Sequence, residues 1–272
     1  MPKVGLVQLR TPASQDAALR HAGPLIRQAA AAGAKLIVTP EGTNLLERDR
    51  ARLMSVLALV EDDPAVVGLR ALAAELSVWL LIGSALVRRE DGKAANRSLL
   101  VNPQGKIVAS YDKLHMFDVD LPTGEKHRES ATYEAGERAV IASAAGAVLG
   151  MTVCYDLRFP TLYRALAGAG AEVLTVPSAF TRPTGQAHWE ILLRARAIET
   201  GSFVLAPAQG GVHEDGRATW GHSMAVSPWG EVIARAEGDE PCAIVAELDL
   251  SLVGKARHAI PALGAARAFV GP

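Results

Sequence analysis

Apolar and polar positions along the chain first alternate at strand period and then repeat at helical period. Lys3 to Leu9 (KVGLVQL) is short, apolar and partly β-branched, the pattern of a buried strand. Ser14 is placed to cap a helix running to about Ala32, which Gly33 closes. Leu36 to Thr39 predicts a second strand, halted by Pro40 and followed at once by Glu41. A second helix is expected around Asp63 to Leu76, with Pro64 in its first turn, then a strand over Trp79 to Gly83. Arg97–Asn102 and Lys106–Ser110 flank Pro103-Gln104-Gly105, a hairpin signature. From Lys113 to Gly136 periodicity is lost. The stretch is charged, contains Pro122 and Gly124, and reads as a long functional or disordered loop.

The second half resumes with an apolar strand over Ala147–Val153, which delivers Cys154. A helix over Pro160–Ala169 and a strand over Glu172–Val176 follow. Next come a loop from Ser178 to Gly185 and a helix through Trp189 to Glu199. Phe203–Ala206, Ser223–Val226, Val232–Arg235 and Ala243–Leu248 supply the remaining strands, with a hairpin turn at Pro228-Trp229-Gly230. Alternating strands and helices mixed with hairpins favour a layered α/β fold whose sheet is partly antiparallel. Two sheets between outer helix layers would accommodate this many strands.

Composition narrows the function. A chain of 272 residues fits one large α/β domain or two small ones. Apolar residues at 49% and charged residues at 21% are a globular balance. With a net charge of −1 and no basic stripe, nucleic acid and anionic membranes are poor partners, and a small molecule is the better expectation. Two cysteines, Cys154 and Cys242, make no disulfide framework. The start lacks a signal-peptide pattern, and no run of about 18 apolar residues is present, so the chain reads as cytoplasmic. CxxC, HExxH, a Walker loop and GxGxxG are all missing, so neither a metal nor a nucleotide cofactor is indicated.

Three residues then stand out. Cys154 sits between a buried strand and the helix opened by Pro160, at the sheet end where α/β folds place ligands. A lone cysteine is more often a buried structural thiol. Glu41 also follows a strand, and Lys113 ends one at the mouth of the long loop. Alone, each is an ordinary surface or helix-end charge, as is Glu129 within the loop. Together they make a complete acyl-transfer set: a nucleophile, a carboxylate to move its proton, and an ammonium to lower the thiol pKa and hold an oxyanion. The N–H of Tyr155 is placed as a second oxyanion donor. His115, His188 and His222 leave a Cys–His pair open at this stage.

The segments Thr39-Pro40-Glu41-Gly42, Tyr111-Asp112-Lys113-Leu114-His115 and Thr152-Val153-Cys154-Tyr155-Asp156-Leu157-Arg158-Phe159-Pro160 resemble the three signatures of the nitrilase superfamily of carbon–nitrogen hydrolases. Asn96-Arg97-Ser98, Pro177-Ser178-Ala179-Phe180, His188-Trp189-Glu190 and Gly221-His222-Ser223 extend the likeness over nearly the whole chain. The resemblance implies a single-domain, four-layer αββα sandwich over residues 1–272, in a homodimer or higher homo-oligomer. It implies a Glu41–Lys113–Cys154 triad, with Glu129 positioning the lysine and the substrate, and no cofactor.

Lys113–Asp120 and Arg128-Glu129-Ser130 resemble the branch related to deaminated-glutathione amidase and ω-amidase. That branch implies hydrolysis of a small carboxylate-bearing amide through a thioester, read as a primary amide giving acid and ammonia. Deaminated glutathione is the first substrate expectation and the ω-amidase substrates the alternative. Arg158 is the expected carboxylate ligand, unless it pairs with Asp156 or Glu190. Tyr155, Phe180 and Thr184 join it around the substrate. Two departures are Glu134-Ala135-Gly136, where relatives commonly carry Pro-Gly, and a small apolar tail from about 260 to 272, expected at the oligomer interface.

Overall fold

The structure, a computed structural model, describes residues 2–121, 124–265 and 267–271. In chain order the first half holds β1 (Lys3–Gln8), α1 (Gln15–Ala31), β2 (Leu36–Val38), α2 (Arg50–Val56), α3 (Pro64–Leu76), β3 (Trp79–Arg88), β4 (Ala94–Val101) and β5 (Ile107–Asp112). Two short strands, β6 (Asp118–Asp120) and β7 (Lys126–Arg128), lead to a 3-10 turn at Glu129–Ala131. The second half holds β8 (Val140–Ala144), β9 (Ala147–Met151), a 3-10 turn at Cys154–Arg158, α4 (Pro160–Gly168), β10 (Val173–Thr175) and α5 (Arg182–Thr200). It ends with β11 (Phe203–Ala206), β12 (Gly210–Val212), β13 (Ala218–Trp220), β14 (Met224–Val226), β15 (Val232–Arg235), β16 (Cys242–Glu247) and α6 (Ser251–Ala259).

Two six-stranded mixed sheets form, ordered β16-β1-β2-β3-β4-β5 and β15-β14-β11-β10-β9-β8. Alternation along the strands explains their stacking. On β1 and β2, Val4, Leu6, Leu36 and Val38 face the second sheet and share one core with Leu149, Met151 and Leu174. Val7 and Ile37 point the other way, into a second core with Ile26 of α1 and Leu69 of α3. Helices α4 and α5 cover the outer face of the second sheet. The order helix, sheet, sheet, helix is the αββα sandwich that the resemblance implied.

Most of the expected helices and strands appear close to their expected places. Five differences have local causes. The Lys113–Gly136 stretch is not bare loop, because β6 and β7 pair in it with Asp118 opposite Arg128; Pro122, named in that stretch, lies outside the described residues. Helix α5 begins at Arg182 and runs through Gly185, placing Thr184 in its first turn rather than in a loop. Ser14 occupies the N-cap of α1, but its side chain makes no capping bond. The β12–β13 ribbon, strand β8 and helices α2 and α6 were not anticipated. Strand β3 extends to Arg88, well beyond Gly83.

Candidate active site

Each reactive side chain is set by a strand end or the turn after it. Beyond β2, Pro40-Glu41-Gly42 turns sharply, with Gly42 at φ +65°. The turn is tied to the irregular middle of β3: the Gly42 and Ser84 N–H groups donate to Ser84 Oγ and the Pro40 carbonyl at 2.9 and 3.1 Å. Gly83 is required there. A Cβ on it would lie 1.8 Å from the Thr39 carbonyl oxygen and 2.5 Å from Cβ of Pro177. Lys113 follows β5, and its N–H donates to the Asn96 carbonyl of β4 at 3.0 Å. Cys154 opens its 3-10 turn at φ +51°, a strained left-handed conformation for a non-glycine residue, and its N–H donates to Pro177 O at 2.9 Å.

Asp156 fixes these parts to one another. Fully buried, it accepts from Tyr111 Oη at 2.6 Å, His115 Nδ1 at 2.7 Å and the Val153 N–H at 2.8 Å. It thus clamps residues on both sides of Lys113 to the turn that carries Cys154.

The functional groups converge in a buried cluster. Lys113 Nζ, 2% exposed, donates to Glu41 Oε1 at 3.0 Å and to Glu129 Oε1 and Oε2 at 2.9 and 2.8 Å. Asn96 Nδ2 spans the same two carboxylates, 2.8 Å from Glu41 Oε1 and 3.3 Å from Glu129 Oε1. Glu41 Oε2 accepts from the Ala179 N–H at 2.9 Å. Cys154 opens on the same cavity as Glu41, close enough for each to feel the other's charge.

Charge follows from this packing. Burial alone would raise the Glu41 carboxyl, but the Lys113 charge, the nearby Cys154 thiol and hydrogen bonds from Lys113 and Asn96 outweigh it and hold the group below its ordinary value. Burial would lower Lys113, yet Glu129, Glu41 and Cys154 keep it well above its own. Burial first, then Glu41, push the Cys154 thiol up against the opposing pull of Lys113. The resting site therefore holds a carboxylate, an ammonium and a neutral thiol.

These groups open on a cavity of about 720 Å³. All eight sequence-nominated residues line it: Glu41, Lys113, Glu129, Cys154, Tyr155, Arg158, Phe180 and Thr184. Arg158 pairs with neither Asp156 nor Glu190. Its guanidinium lies 5.6 Å from the Phe180 ring and 6.0 Å from the Tyr155 ring, with Nη2 3.3 Å from His188 Nδ1. Thr184 Oγ1 bonds to Thr181 Oγ1 at 2.8 Å. None of the three histidines weighed for a Cys–His pair lines the cavity. His115 bonds to Asp156, His188 contacts Arg158, and His222 stacks on Trp220.

Sequence reasoning quoted Asn96 but gave it no role, and it missed Phe117, His127, Tyr133 and Arg217 at the cavity wall. The inward-facing amide on a strand was the available signal for Asn96. The others sit in short elements without periodicity. Among the described residues, no group of three or more His, Cys, Asp or Glu side chains is arranged to hold a metal ion. No helix there is long and apolar enough to cross a membrane.

An αββα sandwich with a thiol, a carboxylate and an ammonium in one pocket brings together the groups that hydrolysis of an amide calls for. The chain belongs to the carbon–nitrogen hydrolase family, which it matches over residues 3–258. It is similar to the deaminated glutathione amidase of Yersinia enterocolitica, with 43% identity over 85% of this chain and 81% of that protein. It is also similar to the human deaminated glutathione amidase, at 40% over 96% of this chain and 81% of that one. Among solved structures, the C. elegans NitFhit protein superposes with a TM-score of 0.91 and 32% identity, covering 98% of this chain and 65% of that one. Saccharomyces cerevisiae Nit3, of branch 10 of the nitrilase superfamily, gives 0.84 and 30%, covering 96% and 94%. The chain is a hydrolytic amidase acting on a small-molecule amide.

Proposed function

We propose that Glu41, Lys113 and Cys154 are the catalytic triad of an amidase for small carboxylate-bearing amides, with deaminated glutathione the leading substrate. The observation that carries it is the convergence on one cavity of Cys154 and Glu41, whose carboxylate is bridged through Lys113 to Glu129. Cys154 Sγ attacks the amide carbon as its proton passes to Glu41. Lys113 and the N–H of Tyr155, at the start of a 3-10 turn where helical N–H groups lack internal partners, hold the oxyanion. The C–N bond breaks, Glu41 returns the proton to the leaving nitrogen, and a thioester remains. Water, deprotonated by Glu41, then adds to the thioester; the acid leaves and the thiol reforms. Glu129 holds Lys113 and meets the substrate nitrogen.

Arg158 binds a carboxylate on the acyl half in a forked contact, backed by Phe180 and Thr184. Deaminated glutathione contains no primary amide, so its cleavage releases an amine; ammonia is released only from ω-amidase substrates such as α-ketoglutaramate.

Cytoplasmic placement suits the free thiols. The protein forms a homo-oligomer through its tail, where Phe269 and Val270 are 89% and 98% exposed. A monomer alone in sedimentation equilibrium would remove this last point. The triad is tested by Cys154→Ala, expected to abolish release of amine and ammonia with the fold intact by circular dichroism. Hydrolysis that survives the change rules out the thioester route.

A further inference from the structure

The cavity is far more cationic than the molecule. Eight Lys or Arg side chains and four Glu side chains line it, in a chain of net charge −1. Arg128 and Arg182 are paired with Asp120 and Asp239; three of the others stand at the ends of an aromatic wall. Arg158 stands at one end, against Tyr155 and Phe180. The Phe117 ring lies 5.1 Å from Tyr155 and 4.9 Å from His127, which marks the other end. Arg48 and Arg217 line the cavity there. Burial holds the His127 imidazole below its ordinary value; Glu125 pulls the other way, and the nearby charges of Arg217 and Arg48 add to the depression.

This second end is left unsatisfied. Arg48 has no acidic partner among the described residues, and the adjacent Glu47 is engaged by Arg52 at 3.2 Å. Arg217 is anchored by one carboxylate, Asp215, whose side chain is 1% exposed and lies 2.9 Å from Nε. His127 Nε2 is buried with no hydrogen-bond partner; Glu125 Oε2 stands 3.7 Å away, beyond bonding range. A buried polar atom without a partner is costly, so a ligand that supplies one is favoured.

The site's chemistry says which half of a substrate reaches this end. The leaving nitrogen must take its proton from Glu41, on the side where Lys113 and Glu129 are joined. Glu129 directly follows β7, only two residues from His127. Tyr133 ties the same region together: burial, then the Glu129 charge, push its phenol up, while Arg217 pulls it down.

On the proposed triad reading, we infer that Arg48 and Arg217, with His127, form a second anion subsite that binds a carboxylate on the leaving amine. The preferred substrates are then N-acyl amino acids or short N-acyl peptides carrying an acid at each end. Arg158 takes one acid and the His127 end takes the other.

Matched amides test this: the γ-amide of 2-oxoglutarate with glycine, the same amide with glycinamide, and the primary amide. Wild type is expected to favour the glycine amide over the glycinamide amide by about tenfold or more in kcat/KM, mostly through KM. Arg48→Gln, at an exposed position, should lower that ratio several-fold. Arg217→Lys, which keeps a charge beside Asp215 but loses the fork, should also lower it. Lys106→Gln, a remote exposed charge, should leave every rate unchanged. A wild-type ratio near one, or a ratio unmoved by both cavity variants, overturns the subsite. If the two amides without an acid on the amine side are still cleaved in that case, the amidase reading stands without it. If wild type cleaves none of the three, both readings fall.

Discussion

At the scale of residues, Glu41 has two opposed effects on Cys154. As the proposed base it accepts the thiol proton, while its negative charge adds to burial in raising the thiol above the ordinary value of 9.0. Lys113 pulls the other way. Replacing Glu41 by Gln removes both the base and the charge that suppresses the thiolate. Hydrolysis should fall by about 10²–10⁴, while alkylation of Cys154 by iodoacetamide at neutral pH should quicken and its pH midpoint move down. A midpoint that stays put or rises contradicts this electrostatic account. In the wild type, Glu41 is ionised and Cys154 protonated across the neutral range. The profile of kcat/KM should therefore be flat there. It should fall on the acid side only below the ordinary carboxylate value of 4.5, as Glu41 gains its proton, and on the alkaline side above 9.0.

At the scale of elements, the site depends on close approaches that no side chain can accommodate. Gly83 is the sharpest case. Its missing Cβ leaves room for the Thr39 and Pro40 carbonyls, and for Pro177, whose own carbonyl receives the Cys154 N–H. The obstructing atoms are mostly backbone, which cannot swing aside. Gly83→Ala should cost at least about 1–3 kcal/mol in urea unfolding and lower turnover as well; a variant with wild-type stability and rate would refute it. Such constraints explain what was legible in the sequence. The runs of Lys3–Leu9 and Ala147–Val153 declared strands because their faces are buried on both sides. Asp63-Pro64 declared a helix start, and the Asp63 carboxylate indeed accepts the Val66 N–H at 2.9 Å. Short pieces such as β6, β7 and β12 carry three residues each, too few for a period to register. Helix α5 was begun too late because Gly185 resembles a break. It is instead the residue that lets Trp220 pack, since a Cβ there would lie 2.3 Å from that side chain.

At the scale of the whole molecule, the site exists only where the two sheets meet. Glu41 and Lys113 follow strands of one sheet; Cys154 and Ala179 follow strands of the other. Local pattern placed each residue at a strand end but carried no information on how the sheets stack, so the proposed triad became legible through the family resemblance rather than through periodicity. The same convergence sets the field at the cavity mouth. Eight cationic against four anionic side chains line it, and even with Arg128, Arg182 and Arg217 each paired to an aspartate the balance stays positive in a chain of net charge −1. Screening discriminates between this field and local contact. The Debye length shrinks from about 30 Å at 0.01 M ionic strength to about 8 Å at 0.15 M. Over that range kcat/KM for a doubly anionic amide should fall several-fold, and that for an amide bearing a single carboxylate should fall less. A neutral amide should show no trend, and kcat at saturation should hold for all three, because the buried Lys113–Glu129 pair is screened little. Parallel salt curves for charged and neutral amides would mean that the cations at the mouth are solvated surface charge and do not attract the substrate.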